Sequence, residues 1–219
     1  MNMPLERMDL FFENRLDGYD KHMLTEIKGA EEFYDFTARQ LPQGEGCEVL
    51  DLGCGTGLEL ERFFALNPSA RVTGIDLSAG MLDALKSKFP EKALDLIKGS
   101  YFDVPFEERK YDAAVSVESL HHFKREQKTE LYKKLRNALK PNGFFILTDY
   151  FAENDEQEKA LFEELDRLKA EQNADNGFYH FDTPLTLAHE IEALRIAGFS
   201  RVEILKKWGA TAMVRAYII

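Results

Sequence analysis

The segment Leu50-Asp51-Leu52-Gly53-Cys54-Gly55-Thr56-Gly57 places three glycines at alternate positions directly after a short apolar run. Glycines so spaced permit positive φ in a sharp turn and let backbone approach a ligand with no Cβ in the way. A helix starting just beyond them would turn free N–H groups toward an anion. Two familiar phosphate loops fit poorly. A dinucleotide loop asks for G-x-G-x-x-G/A, and the last position here is Leu58, too large for close helix–strand packing. A P-loop asks for Gly-Lys-Ser/Thr, and this loop has no lysine. Asp51, just before the glycines, would repel a pyrophosphate and suits a ligand carrying an ammonium group. Asp76, in Gly74-Ile75-Asp76-Leu77-Ser78, stands where an acid can accept hydrogen bonds from both hydroxyls of a ribose. Leu77 and Met81 would then pack on the adenine face.

The elements that must position these residues alternate. Residues 5–40 read as helices, with Met8, Phe11, Phe12, Leu16 and Tyr19 at helical spacing, and again Ile27, Ala30, Phe33, Tyr34 and Thr37. Strands are expected at 47–52, 71–76, 93–98, 111–117 and 144–150. Helices are expected at 58–66, after the capping residue Ser78, and at 125–139. Pro141-Asn142-Gly143 reads as the turn into the fifth strand. Beyond it, 153–171 is an amphipathic helix with Leu161, Leu165 and Leu168 inward and eight acids facing outward. Residues 173–182 read as loop and 184–197 as helix. Strands 202–207 and 210–219, joined at Trp208-Gly209, form an antiparallel pair. Five strand–helix alternations mean a parallel sheet covered on both faces, with ligands bound where the strand order reverses.

The composition bounds the function. The 219 residues carry 39 acids against 28 bases, a net charge of -11, which disfavours a nucleic-acid partner without a local basic patch. No run of about 18 apolar residues could span a bilayer. The N-terminal MNMPLERMDLFFENR is acidic at Glu6 and Asp9 and lacks the apolar core of a signal peptide. Two cysteines, Cys47 and Cys54, make no disulfide framework. The expectation is a single soluble cytoplasmic domain over 1–219, with helices 5–40 and the insertion 151–182 forming a cap over the sheet edge. The oligomeric state is not legible.

VLDLGCGTG, the acid in GIDLS, KGSYFDVPF, YDAAVSVESLHHF and LKPNGFFIL, in this order from about residue 46 to 150, resemble the motif series of the class I S-adenosylmethionine-dependent methyltransferases. The resemblance implies a three-layer α/β sandwich, a Rossmann-like seven-stranded, mostly parallel sheet whose last strand runs antiparallel. It implies S-adenosylmethionine as cofactor. Gly53, Gly55 and Gly57, with Cys54 between them in the loop, would line the methionine portion, Asp51 its ammonium and Asp76 the ribose. The segment Gly99-Ser100-Tyr101 would meet the adenine edge. Ser100 stands where family members often carry Asp, so that contact departs from the pattern. Val117 and Glu118 would lie beside the sulfonium. Gly18-Tyr19-Asp20 resembles a cofactor-covering element, with Tyr19 reaching the carboxylate.

Methyl transfer from a sulfonium is an in-line displacement, in which the protein mainly aligns and desolvates. A hydroxyl acceptor needs a base near pH 7; an ionised thiol or neutral amine does not. His122, in Ser119-Leu120-His121-His122-Phe123, is the candidate base and Tyr150 a candidate for orienting substrate. Adjacent histidines also suggest a metal, but no third ligand stands at the right spacing, so no metal is expected. The aromatic character of 5–40 and 151–182 favours a small, partly apolar acceptor. The competing readings are a methyltransferase acting on protein or tRNA and a binder of S-adenosylmethionine that does not catalyse.

Overall fold

The structure is a computed structural model in which residues 4–218 are described; the first three residues lie outside them, as does Ile219, the last residue of the final expected strand. Among the described residues, seven strands form one sheet: β1 (Glu48–Leu52), β2 (Arg71–Asp76), β3 (Ala93–Lys98), β4 (Tyr111–Val117), β5 (Leu139–Tyr150), β6 (Arg201–Trp208) and β7 (Thr211–Tyr217). Their order is β3-β2-β1-β4-β5-β7-β6. The first five pair in parallel, while β7 runs antiparallel to both β5 and β6. The order reverses between β1 and β4, so a crevice opens beyond their C-terminal ends. β1 and β4 are almost wholly buried, as strands covered on both faces must be.

Among the described residues, eight helices flank the sheet: α1 (Met8–Asn14), α2 (Tyr19–Glu26), α3 (Ala30–Gln40), α4 (Leu58–Leu66), α5 (Ala79–Lys88), α6 (Arg125–Ala138), α7 (Asp155–Glu171) and α8 (Leu187–Ile196). Ser78 caps α5 as its sequence predicts, accepting from the Met81 N–H at 3.1 Å. Asn154 and Thr186 cap α7 and α8 in the same way. Two apolar clusters fill the spaces on either side of the sheet. Between α6 and α8 lies a buried ion pair, Lys128 Nζ to Glu190 Oε2 at 2.5 Å, with the Tyr132 hydroxyl donating to the other Glu190 oxygen.

Three local expectations change. The segment 5–40 is not one cap. α3 buries Ala30, Phe33, Tyr34, Thr37 and Ala38 and packs beside α4 and against β5, so it belongs to an outer layer of the body. Its apolar stripe is as complete as that of any body helix, which is why it docks there. Pro141-Asn142-Gly143 does not precede β5 but lies within it as an irregularity: β5 pairs at Leu139, slips, and resumes at Phe144, with Asn142 at φ 65°. The turn between β6 and β7 is Gly209-Ala210, since Trp208 still pairs with Thr211. Trp208 packs its ring close to Gly29 and beside Phe33 and Phe36.

The N-terminal segment and the 178–180 stretch hold one another. Phe178 O accepts from Met8 N–H at 3.0 Å and Glu6 O from His180 N–H at 3.0 Å, with a bridge between Arg7 and Tyr179. Together they wall the crevice. Among the described residues, no helix is long and apolar enough to cross a membrane.

Candidate active site

The glycine loop is held from below. Ile75 O accepts from the N–H groups of Gly53 and Cys54, and Cys54 O from that of Gly57. Asp76 Oδ2 accepts from Gly55 N–H at 2.9 Å and Oδ1 from Ser78 N–H at 2.9 Å. The loop's N–H groups at these positions are therefore committed inside the protein. The end of β2 beneath the loop takes three of these donors, those of Gly53, Cys54 and Gly55. Gly53 has φ 73°, and a Cβ there would lie 2.0 Å from Ser119 Oγ. Gly55 faces openly toward Tyr19, the nearest atom to a Cβ there, at 4.0 Å.

The structure divides the expected cofactor residues into two groups. Tyr19, Gly53, Gly55, Asp76, Leu77, Met81, Tyr101 and Val117 line one narrow cleft of about 40 Å³. Asp51, Cys54, Gly57 and Ser100 do not line it. Cys54 is buried with its Sγ against Gly74. Gly57 caps α4 and packs on Leu85. The Ser100 hydroxyl turns back to accept from Phe102 N–H at 3.2 Å. Asp51 lies beneath the loop beside Glu59. Both Asp51 oxygens and Glu59 Oε1 are buried with no hydrogen-bond partner other than the proton the two acids can share. Burial, and then the charge of Glu59, hold the Asp51 carboxyl well above its usual range. Burial likewise raises Glu59. Glu59 carried no sequence signal beyond being an acid in the first turn of a helix.

α2 is latched over this loop. Asp20 accepts from Thr56 Oγ1 and pairs with Lys88 Nζ at 2.7 Å. From α1, Glu13 accepts from Ser78 Oγ at 2.6 Å and from Gly80 N–H at 3.1 Å. The half-buried Tyr19 ring has its hydroxyl held above the usual phenol range by desolvation and by Asp76.

A second, larger cavity of about 740 Å³ adjoins the first. Its wall includes Phe11, Arg15, Met23, Ile27, Tyr150 and His180. Four residues line both spaces: Phe12, Tyr19, Glu118 and His122. The histidines are set in a polar network. His121 Nδ1–H donates to Asp149 Oδ1 at 2.5 Å, and its Nε2 is 3.4 Å from Asp182 Oδ1. Burial alone would strip the proton from His121, but the two acids override it and raise its pKa to about 10. His122 Nδ1–H donates to Phe181 O at 3.2 Å and lies 3.4 Å from the same Asp182 oxygen, which leaves Nε2 as the ring's acceptor. Burial, then the neighbouring His121 charge, push His122 well below the usual imidazole range.

Asp182 supplies what the sequence spacing did not: donor atoms of His121, His122 and Asp182 lie within 4.8 Å of one another. Hydrogen bonds among these groups account for their positions. His180 stacks on Phe11, ring centroids 3.5 Å apart. Glu118 follows β4 with φ 48°. Burial, then Asp149, push its carboxyl up to about 7, with His121 opposing.

The chemistry of these residues fits an S-adenosylmethionine. An acid ends β2 at the cleft, an unpartnered buried acid pair stands under the loop, and apolar walls are supplied by Leu77 and Met81.

The family model described as a methyltransferase domain matches residues 49–143. A carboxy-S-adenosyl-L-methionine synthase of Wolinella succinogenes is 31% identical over 196 residues, covering 80% of this chain and 77% of that protein. A 24-methylenesterol C-methyltransferase of Arabidopsis thaliana is 28% identical, covering 56% of this chain and 36% of its own length. Against the first curated relatives it matches, the chain spans between 19% and 42% of their length. Among solved structures, the complex of a Haloferax volcanii methyltransferase with the Trm112 activator is similar in fold, with a TM-score of 0.68 at 19% identity over 97% of this chain and 99% of that one. The sheet order, the motif series and the long alignment agree, and the chain belongs to the class I S-adenosylmethionine-dependent methyltransferases.

Proposed function

We propose that this chain transfers a methyl group from S-adenosylmethionine to a small-molecule acceptor. The observation that carries the reading is the meeting of the two spaces. The narrow cleft holds the glycine loop and Asp76, and it opens through Phe12, Tyr19, Glu118 and His122 onto a cavity of about 740 Å³. That volume lies within the ~300–1,000 Å³ of small-molecule sites, and its wall is aromatic on several sides.

S-adenosylmethionine supplies the methyl group and the leaving sulfur. Asp76 would hold the ribose and Leu77 and Met81 the adenine face, while Asp51 with Glu59, buried beneath the loop, would supply the negative charge for the ammonium. His122 is the base for an acceptor that must lose a proton. Its tautomer is fixed by the Phe181 carbonyl, and its depressed pKa keeps Nε2 free of a proton at pH 7. Tyr150, on the cavity wall, would orient the acceptor. Closure by α1 and α2 excludes water from the methyl path.

A protein or tRNA acceptor is the second reading. It draws on the likeness to the Haloferax volcanii methyltransferase solved with Trm112. The aromatic wall of the cavity and the net charge of -11 favour the small molecule.

Calorimetric titration with S-adenosylmethionine, S-adenosylhomocysteine and NAD tests the cofactor, and an acceptor panel follows. Micromolar binding of both sulfur ligands and none of NAD is expected. Binding of neither sulfur ligand would remove the basis for methyl transfer.

A further inference from the structure

Glu118 is the one carboxylate among the four residues that line both spaces. Its placement is unusual. The strand ends at Val117, and Glu118 then takes φ 48°, a left-handed conformation that a non-glycine residue seldom adopts. Its N–H donates to Thr148 O at 2.8 Å, which fixes the residue to β5. Oε1 accepts from Thr211 Oγ1 at 3.1 Å. Oε2 lies 3.9 Å from His121 Nδ1, whose proton is already donated to Asp149. A largely buried acid is thus held in a strained position, where the one cation beside it, His121, is hydrogen-bonded to Asp149 instead, at the point where donor and acceptor spaces join.

We propose that Glu118 is the counter-ion of the donor's sulfonium, so that the site distinguishes the charged methyl donor from its uncharged, demethylated product. This rests on the reading that the narrow cleft takes S-adenosylmethionine. The two ligands share adenine, ribose and the methionine ammonium and carboxylate, so Asp76, Asp51 and Glu59 act on both alike. They differ by one methyl group and one positive charge at sulfur. The ratio of their affinities therefore isolates the group that faces the sulfur. Burial strengthens this pairing, because a carboxylate in low dielectric gains more from a nearby cation than it would in water.

A second consequence is a proton. Glu118 titrates near pH 7, so an arriving cation displaces its proton to solvent, and a neutral thioether does not. The other groups facing Glu118 are His121 beside it, Asp149 from β5, Asp182 from the wall, Tyr19 from α2 and Tyr34 from α3. His121 keeps its proton to about 10, Asp182, its side chain half-exposed, is held low by the histidines against partial desolvation, and both tyrosines are raised.

The experiment is calorimetric titration of both ligands into the wild-type chain, Glu118→Gln and Glu118→Asp at pH 8. The wild type should favour S-adenosylmethionine. Glu118→Gln should lose at least fivefold of that preference while keeping its affinity for S-adenosylhomocysteine within twofold, which also shows that it is folded. Glu118→Asp should keep the preference in part. An unchanged ratio in Glu118→Gln, or an equal loss of both ligands by a folded variant, overturns the proposal and leaves the methyltransferase reading standing. Should Glu118→Gln not fold, the wild type decides. At pH 7, in two buffers of different ionisation enthalpy, proton release on binding S-adenosylmethionine but not S-adenosylhomocysteine supports the counter-ion. Equal release for both overturns it. Failure of the wild type to bind either ligand overturns the site reading itself.

Discussion

His121 Nδ1 lies 2.5 Å from Asp149 Oδ1, and the pair joins the end of β4 to the end of β5. Asp149 is fully buried and also accepts from the N–H groups of Leu120 and Tyr150. One carboxylate thus fixes the backbone at both strand ends and holds an imidazolium against them.

Replacing His121 with Phe should therefore be costly. It leaves Asp149 buried without its cation, a loss of about 3–5 kcal/mol, readable by urea denaturation at pH 7. The pH dependence has a definite sign. The pKa of His121 is raised from 6.5 to about 10 in the folded chain, so its contribution is complete below 6.5 and disappears as pH rises through 10. The wild type should lose stability across this window, and His121→Phe should show a flatter profile there. Parallel profiles would remove the charge from His121.

Asp51 and Glu59 act in the opposite direction to their value in binding. Both carboxyls are raised by burial, so ionising them costs stability as pH rises above the ordinary carboxylate range. Asp51→Asn should raise the melting temperature at pH 8 by roughly 2–8 °C, for ~1–2 kcal/mol of relief. The same variant should bind S-adenosylmethionine more weakly, because the ammonium loses its acid. A lower melting temperature would show that the pair is held by contacts other than its shared proton.

Asp76→Ala should lose roughly a hundredfold or more in cofactor affinity, since two ribose hydroxyls lose a charged acceptor at ~1.5–3 kcal/mol each. Part of the effect is on the loop, because Asp76 also holds the N–H groups of Gly55 and Ser78. Thermal melting of the unliganded variant separates the two. Unchanged affinity in a folded variant would sink the ribose assignment.

His122→Ala should lower turnover on a hydroxyl acceptor while leaving cofactor affinity within about threefold, under ~1 kcal/mol. Rate profiles against pH should lose their acidic limb. Full activity would return His122 to a packing role beneath Phe181.

The repeating βα units were legible because each is local: hydrophobic runs of strand length, capping residues and glycine or proline stops lie within about ten residues of what they shape. The bounds of β2, β3 and α4 agree with those read from sequence. Long-range pairing was not legible. Asp182 meets His121 and His122 across some sixty positions, and Met8 meets Phe178 across 170. Nothing in the local pattern of 173–182 marks it as the strap that fixes two imidazoles. α3 was grouped with α1 and α2 because periodicity tells which face is apolar and not which neighbour covers it. The buried partner of Asp51 was hidden for a related reason. Glu59 sits in an acid-rich first helical turn beside Glu61, and only the fold turns one inward.

The narrow cleft is about 40 Å³, well under the ~300 Å³ at the lower end of small-molecule sites. Phe12 and Tyr19, which crowd it, also wall the larger cavity. Whatever moves these side chains to admit the nucleoside reshapes the neighbouring chamber in the same motion. On the proposed function, the expected kinetic consequence is a compulsory order of substrates, donor first. An acceptor analogue should then inhibit uncompetitively against S-adenosylmethionine.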